Sequence, residues 1–496
     1  MQFVLKAQSN SYIRYALETQ AMAKIVLEKK NRDAQHMVVI TDKFRNDFGL
    51  PDKVSAYFNT HLSQKDKKLL TYNYIGKHIT IYIPEREKGP YHLAEHLRKQ
   101  GTSIADAVNA LKGKEVVIFN QTRQPAYALS LAEGIVLSNY QFIHHKKDAE
   151  KNKNTLESVI IIGAGITQKQ VEELNVVCDS VCKARNLVNE PVNVLNASGL
   201  AAAFKEMGKE AGFKVEVFNK AKIQQLKMGG LLAVNAGSVD EPTFTVMEYK
   251  PARPKNKKPL VLVGKGVVYD TGGLSLKPTP ASMDLMKCDM AGAAAVGCAM
   301  HAIAKAGLKV HVIALVPATD NRPGFNAFAP GDIIRMMDGS SVEMLNSDAE
   351  GRMILADALH YAKRFEPELV IDIATLTGAA AAAIGTAGIV GMGTATPAQK
   401  SKLTHSGLTV HERIAEFPFW EEYDDLLKSD IADQKNLGGP YAGAITAGKF
   451  LAKFTDYPYY HLDIAGPAFL TAKETYRGKG GTGVGVRLFY EFAKTL

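Results

Sequence analysis

Apolar positions in the first third of this chain follow two rhythms. Short runs such as KHITIYIP (77–84) and EVVIFN (115–120) have the length and β-branched content of strands. Between them, YHLAEHLRKQGTSIADAVNALKG (91–113) places apolar residues three and four apart, as on one face of a helix. Alternation of the two predicts an α/β unit. The basic, polar stretch HHKKDAEKNKN (144–154) breaks the pattern and reads as an exposed loop. After a strand-like SVIIIGAG (158–165), Thr167 opens the amphipathic run QKQVEELNVVCDSVCKARNLVN, and Gln170, three residues on, completes a capping box. That helix is placed to link two domains.

Farther on, PLVLVGKGVVYD (259–270), KVHVIALVPAT (309–319) and ELVIDIATLTGA (368–379) are near-continuous apolar strands of the kind buried on both faces. Helical runs separate them, among them the small-residue AGAAAVGCAMHAIAKAG (291–307). A mixed or parallel sheet sandwiched by helices follows. The fold class is therefore α/β: an N-terminal α/β domain over residues 1–166 and a larger C-terminal domain over 167–496 that includes the linker helix. The length of 496 residues agrees, since single cores rarely grow beyond about 250–300 residues.

Composition narrows the class. At 46% hydrophobic and 22% charged residues the chain is globular. The first twenty residues lack a continuous apolar segment, so no secretory signal is expected, and four cysteines fit a reducing cytoplasm. Residues 373–399 carry no charge over a length that could span a bilayer, but they are Ala, Gly and Thr rather than Leu, Ile and Phe. They read as tightly packed interior, and no membrane role is expected. The net charge of +9 permits weak attraction to polyanions without requiring it.

Two stretches carry candidate chemistry. In EMLNSDAEGRMILADAL (343–359), Asp348, Glu350 and Arg352 stand two residues apart, which in an extended segment would put all three on one face. Two carboxylates held side by side need a cation between them or a proton on one, as in a site. The other reading is an acidic loop capping a helix that starts near Met353. In VGKGVVYDTGGLSLKPTPASMDLMKCDMAGAAA (263–295), Lys265 and Asp270 end a strand, Lys277 lies in a Gly-punctuated loop, and Asp289 opens a helix. Loops after strand ends are where α/β sheets hold ligands. Two further matches fail on context. HLAEH (92–96) fits a zinc-peptidase spacing but lies on an amphipathic domain face. GKGGTG (478–483) fits a dinucleotide fingerprint but has no room for a following βαβ unit, and reads as a loop before a last strand and helix.

Together the two stretches resemble the signature regions of the leucyl aminopeptidase, or cytosol aminopeptidase, family of two-metal exopeptidases. The resemblance extends through ARNLVNEPVNVLN, GGLLAVNAGS, ATLTGA, AGAITAGKFL, HLDIAGPA and GGTGVGVRL, so it covers residues 184–488. It implies a metallopeptidase domain over 167–496 and a variable accessory domain over 1–166. It further implies that Lys265, Asp270, Asp289, Asp348 and Glu350 bind two divalent metals, with Asp270 and Glu350 touching both. Four carboxylates balance two dications if Lys265 is neutral, and adjacent dications would depress its pKa. Oxygen-rich ligands suit zinc, manganese, magnesium or cobalt. By resemblance the ions activate one bridging water, Lys277 steadies the oxyanion, and Arg352 holds a bicarbonate that relays the proton. Met286, Thr375, Gly378 and Ala465 would line the pocket for the first residue's side chain.

Ser347, Tyr269 and Thr271 depart from the family's commoner Thr, Phe and Ser while keeping hydroxyl or aromatic character, and Pro467 and Ala468 beside the pocket leave the preferred side chain open. The resemblance implies a cytoplasmic homohexamer that trims Leu, Met and similar residues from short peptides. Some bacterial relatives also bind nucleic acid, but the basic run near 144–153 lacks aromatics that would stack on bases. An inactive scaffold is the other alternative. Against it, Lys265, Asp270, Lys277, Asp289, Asp348, Glu350 and Arg352 are all present.

Overall fold

The computed structural model describes residues 22–30, 32–46, 50–62, 69–84 and 89–496. They divide into two compact units, one of the described residues up to Cys182 together with Lys473–Gly478, the other of Lys183–Ala472 and Lys479–Leu496. The break passes through the linker helix.

In the first unit, β1 (Lys24–Glu28), β2 (His36–Ile40), β3 (Leu69–Tyr74), β4 (Lys77–Tyr82), β5 (Glu115–Asn120) and β6 (Ser158–Gly163) form one sheet in the order β1-β6-β5-β2-β4-β3. All neighbours are parallel except the β3–β4 hairpin. Met37 and Val39 of β2 and Ile79 and Ile81 of β4 face helix α1 (Asp52–Leu62), whose Val54 and Phe58 complete that core. The longer helices α2 (Pro90–Ala110) and α3 (Pro125–Ser138) pack against each other. Helix α4 (Gln168–Asn189) starts at the expected capping box: Thr167 N donates to Gln170 Oε1 at 2.9 Å and Gln170 N to Thr167 Oγ1 at 3.2 Å.

The second unit is built on a mixed sheet of nine strands. Its middle is parallel, with β9 (Leu260–Gly264) between β11 (Val312–Asn321) and β14 (Leu369–Ala374), and β18 (Tyr459–Asp463) beyond β14. The outer strands β7 (Lys214–Phe218), β8 (Thr243–Tyr249) and β15 (Ile389–Gly393) are antiparallel to their inner neighbours, and β16 (Ile414–Glu416) joins β15 in parallel. The apolar run 259–270 is two consecutive strands, β9 and β10 (Gly266–Asp270), both paired with β11 and interrupted at Lys265. A small sheet of β12 (Asp332–Arg335), β13 (Ser341–Met344) and β17 (Gln434–Lys435) precedes and follows the site loop. Helix α5 (Ala291–Lys305) is buried from Ala291 to Ala304, as its small residues allow.

Two expectations are corrected. Residues 348–352 are not one extended segment, because helix α6 (Glu350–Ala362) begins at Glu350, and both Glu350 and Arg352 lie in its first turn. Glu350 at a helix N-terminus is favoured by the dipole there, which outweighs the alternating pattern. Residues 373–399 are likewise not all interior: β14 and β15 are buried, but Gly378, Ala379, Ala382, Ala383 and Gly385–Ala387 on and after helix α7 (Gly378–Ile384) are exposed. Ala and Gly carry so little apolar area that leaving them in water costs little. Among the described residues, no helix is long and apolar enough to cross a membrane.

Candidate metal centre and substrate pocket

The ends of the parallel strands deliver the chemistry. Lys265 follows β9, Asp270 closes β10, Asp289 lies just before α5, and Asp348 precedes the Glu350 that opens α6. The sequence separates these residues by up to 85 positions. In the fold, carboxylate oxygens of Asp270, Asp289 and Glu350 lie within 4.8 Å of one another, all three residues buried.

Two ammonium groups sit among them. Lys265 Nζ is 2.7 Å from Asp289 Oδ1 and 2.8 Å from Glu350 Oε1, and it donates to Thr375 O at 3.0 Å. Lys277 Nζ is 2.9 Å from Asp270 Oδ2 and 2.5 Å from Asp348 Oδ1. The Lys265 side chain is 4% exposed and that of Lys277 15%, so only Lys277 reaches the open side of the cluster. Lys265 runs close along the first turn of α6. A Cβ at Gly351 would lie 2.5 Å from Lys265 Cε, so glycine makes room for the lysine.

Electrostatics follow from burial. Desolvation pushes the Asp289 carboxyl up to about 6 against the pull of Lys265, and pushes Glu350 well above its ordinary value with help from Asp270. Asp348 is raised for the same reason. Burial alone would lower both lysines, but the carboxylates outweigh it and hold them charged. Even so, Asp289 Oδ2 is buried with no hydrogen-bond partner, and Glu350 Oε1 and Asp348 Oδ1 have only the lysine contacts. Buried carboxylate oxygens short of donors at this density fit divalent cations.

Neighbouring residues fix these groups. Asn321 Nδ2 donates to Asp270 Oδ1 and to Ser347 O, each at 2.9 Å. Ser347 Oγ donates to Gly272 O at 2.6 Å and accepts from Ser275 N at 2.7 Å, tying the loop of Lys277 to that of Asp348. Tyr269 OH donates to Met283 O and Thr271 Oγ1 to Asn321 O. Arg352, buried, donates to Asn436 O at 2.7 Å while its Nε has no partner, and burial lowers its pKa to about 10. It is not paired with Asp348 or Glu350, so the expected shared face of three charges does not form.

Of the expected pocket residues, Thr375 and Met286 adjoin the cluster, and Gly378 and Ala465 follow the ends of β14 and β18. Thr375 Oγ1 donates to Asp289 Oδ1 at 2.7 Å, and Met286 lies in the short 3₁₀ turn that leads to Asp289. A Cβ at Gly378 would meet nothing within 4 Å, so the space over it is open. Ala465 follows β18 and donates its N–H to Asp463. Sequence reading assigned no role to Asn321, or to Asp463 within HLDIAGPA, because their partners Ser347 and Leu376 lie far off in the chain. In HLAEH, His92 is exposed, Glu95 accepts from Tyr476 OH at 2.9 Å and His96 stacks on Tyr82, so the motif is engaged in packing. The second fingerprint becomes a strand at Gly478–Gly481 ahead of the final helix Val486–Ala493.

Comparison with known proteins bears on this arrangement. The catalytic domain of the cytosol aminopeptidase family matches residues 182–490. A relative in Chlorobaculum tepidum named "Probable cytosol aminopeptidase" is 46% identical over 383 residues, 74% of this chain and 75% of its own. One of the same name in Geobacter sulfurreducens is 42% identical over 414 residues, covering 81% and 82%. Among solved structures, a mutant of tomato leucine aminopeptidase aligns with a TM-score of 0.83 at 27% identity, over 96% of this chain and 97% of that one. A bottromycin maturation enzyme in complex with Mn aligns with a TM-score of 0.81 at 28% identity, over 93% and 99%. These likenesses define a metal-dependent aminopeptidase, a hydrolase of peptide bonds. The chain belongs to the cytosol aminopeptidase family.

Proposed function

We propose that this enzyme removes the first residue of short peptides, preferring Leu and other apolar side chains, with two divalent ions held by Lys265, Asp270, Asp289, Asp348 and Glu350. The observation that carries the reading is the set of buried, donor-poor carboxylate oxygens of Asp289, Glu350 and Asp348 around two lysines. Zinc or manganese suits these ligands best, with magnesium and cobalt as the other candidates. Bound there, the ions supply a Lewis acid for the scissile carbonyl and an activated water.

The chain's own groups do the rest. Lys277 reaches the open side of the cluster, where its ammonium donates to the oxygen on which charge develops. With a metal bound, Lys265 would serve as a ligand in its neutral form, and Gly351 leaves room for its side chain. Arg352 is fixed through one nitrogen to Asn436 O, and its unpartnered Nε suits a planar anion such as bicarbonate as proton relay. Met286, Thr375, Gly378 and Ala465 receive the apolar side chain. Residues 1–166 are assigned an accessory role and 167–496 the catalytic one, with helix α4 shared between the two compact units. The enzyme works in the cytoplasm as a homohexamer that admits peptides and excludes folded proteins.

Hydrolysis of free and N-acetylated aminoacyl-p-nitroanilides tests this, with chelated samples reloaded with manganese or zinc. Cleavage confined to free amines, strongest for leucyl and methionyl substrates, lost with chelator and restored by metal, is the expected result. Equal cleavage of acetylated substrates would overturn the exopeptidase mechanism, and a preference for charged first residues would overturn the apolar pocket.

A further inference from the structure

The two walls of the pocket leave the sheet on different strands. Thr375 and Gly378 follow β14, and Ala465 follows β18. These strands run parallel with Ala374 opposite Asp463, make one further bond from Ile464 N to Ala374 O at 2.8 Å, and then diverge into loops. Gly466 approaches Gly385 O closely at the far end of α7, and next to the strand exits a buried carboxylate spans the loops. Asp463 Oδ1 accepts from Ala465 N at 3.1 Å on its own side and from Leu376 N at 3.2 Å on the other. Its Oδ2 accepts from Thr377 Oγ1 at 2.7 Å.

Thr377 passes the hold onward. Its Oγ1 accepts from Ala380 N at 3.0 Å, capping α7, so Gly378 at the start of that helix is fixed through the same hydroxyl. The loop also meets the metal candidates, through Thr375 Oγ1 to Asp289 and Lys265 Nζ to Thr375 O. A carboxylate that is 1% exposed is costly, and its burial raises its pKa. Its three donors, two of them backbone N–H groups at strand exits, compensate that cost. A hydrophobic residue would fill the space but leave those donors unmet.

We propose that Asp463 is the positioning residue that sets the width of the substrate pocket, holding the Thr375–Gly378 wall against the Ala465 wall and thereby determining which first residue the enzyme prefers. The proposal rests on the pocket assignment made under the proposed function.

The test uses the full-length enzyme loaded with manganese and compares kcat and KM for alanyl-, leucyl- and methionyl-p-nitroanilide, with bound metal and Tm measured alongside. Asp463→Ala removes all three bonds. It is expected to lower the leucyl-to-alanyl ratio of kcat/KM by about tenfold or more, the scale on which an apolar pocket reads a few methylenes, at unchanged metal content. Asp463→Asn keeps a carbonyl oxygen for both backbone donors and offers an NH₂ to Thr377 Oγ1, so its ratio stays within about threefold of wild type.

An equal loss on all substrates with a lowered Tm would mark Asp463 as merely structural and overturn the proposal, as would an unmoved ratio or an Asn variant as altered as Ala. If Asp463→Ala does not fold, Thr377→Val removes one of the three bonds, and its ratio must shift the same way by a smaller factor; an unmoved ratio again overturns the proposal. Gly378→Leu separates the two ideas, because it fills the open space without touching Asp463. If Gly378→Leu leaves the ratio unchanged, the pocket assignment fails. If it moves the ratio and Asp463→Ala does not, the positioning role alone fails.

Discussion

Lys277 and Asn321 both contact Asp270, and their replacement should separate catalysis from metal binding. Lys277 reaches the open side of the cluster, so Lys277→Ala is expected to lower kcat by orders of magnitude with metal content nearly unchanged. Asn321 is fully enclosed and fixes Asp270 and Ser347 by two bonds. Asn321→Ala should therefore weaken metal binding about 10- to 100-fold while restoring near-normal kcat at saturating metal. Metal titration with activity as readout distinguishes the two, and loss of metal from Lys277→Ala would show that its assigned role is wrong. The lysines and carboxylates were legible as motif residues because they stand in recognisable local strings. Asn321 and Asp463 were not assigned, although Asp463 stands in the HLDIAGPA string, because the bonds that give them their roles reach Ser347 and Leu376, 26 and 87 positions away.

Among the elements, the strands and their order of burial were readable because β9, β11 and β14 are apolar on both faces and bounded by polar turns. The start of α6 was not. Alternating charges at 348, 350 and 352 suited an extended segment and an acidic helix cap alike, and the helix takes in two of the three, starting three residues before Met353 with Glu350 at its N-terminal end. That early start brings Gly351 against Lys265. Gly351→Ala would put a methyl 2.5 Å from Lys265 Cε, forcing the lysine or the helix turn aside. We expect at least tenfold weaker metal binding and about 1–3 kcal/mol lower stability, the usual scale of overpacking. Calorimetric metal titration and denaturant unfolding check it, and an unperturbed affinity would mean that Lys265 does not need its present path.

At the scale of the whole molecule, stability should depend on pH differently with and without metal. In the metal-free protein Asp289 has a folded pKa near 6, above the ordinary 3.8, so the folded state holds that proton more tightly than the unfolded chain does. Its contribution is present below about pH 4 and is lost as pH rises to about 6. Metal loading needs ionised carboxylates and a deprotonated Lys265, so affinity rises with pH. The gap in Tm between loaded and chelated protein should therefore widen from pH 5 to 7, and a gap that narrows would contradict the ligand assignment. The paired ammonium groups of Lys265 and Lys277 have one more consequence. Each dication that enters must displace positive charge already seated among the carboxylates, so metal titrated into a weakly buffered solution of chelated enzyme should acidify it.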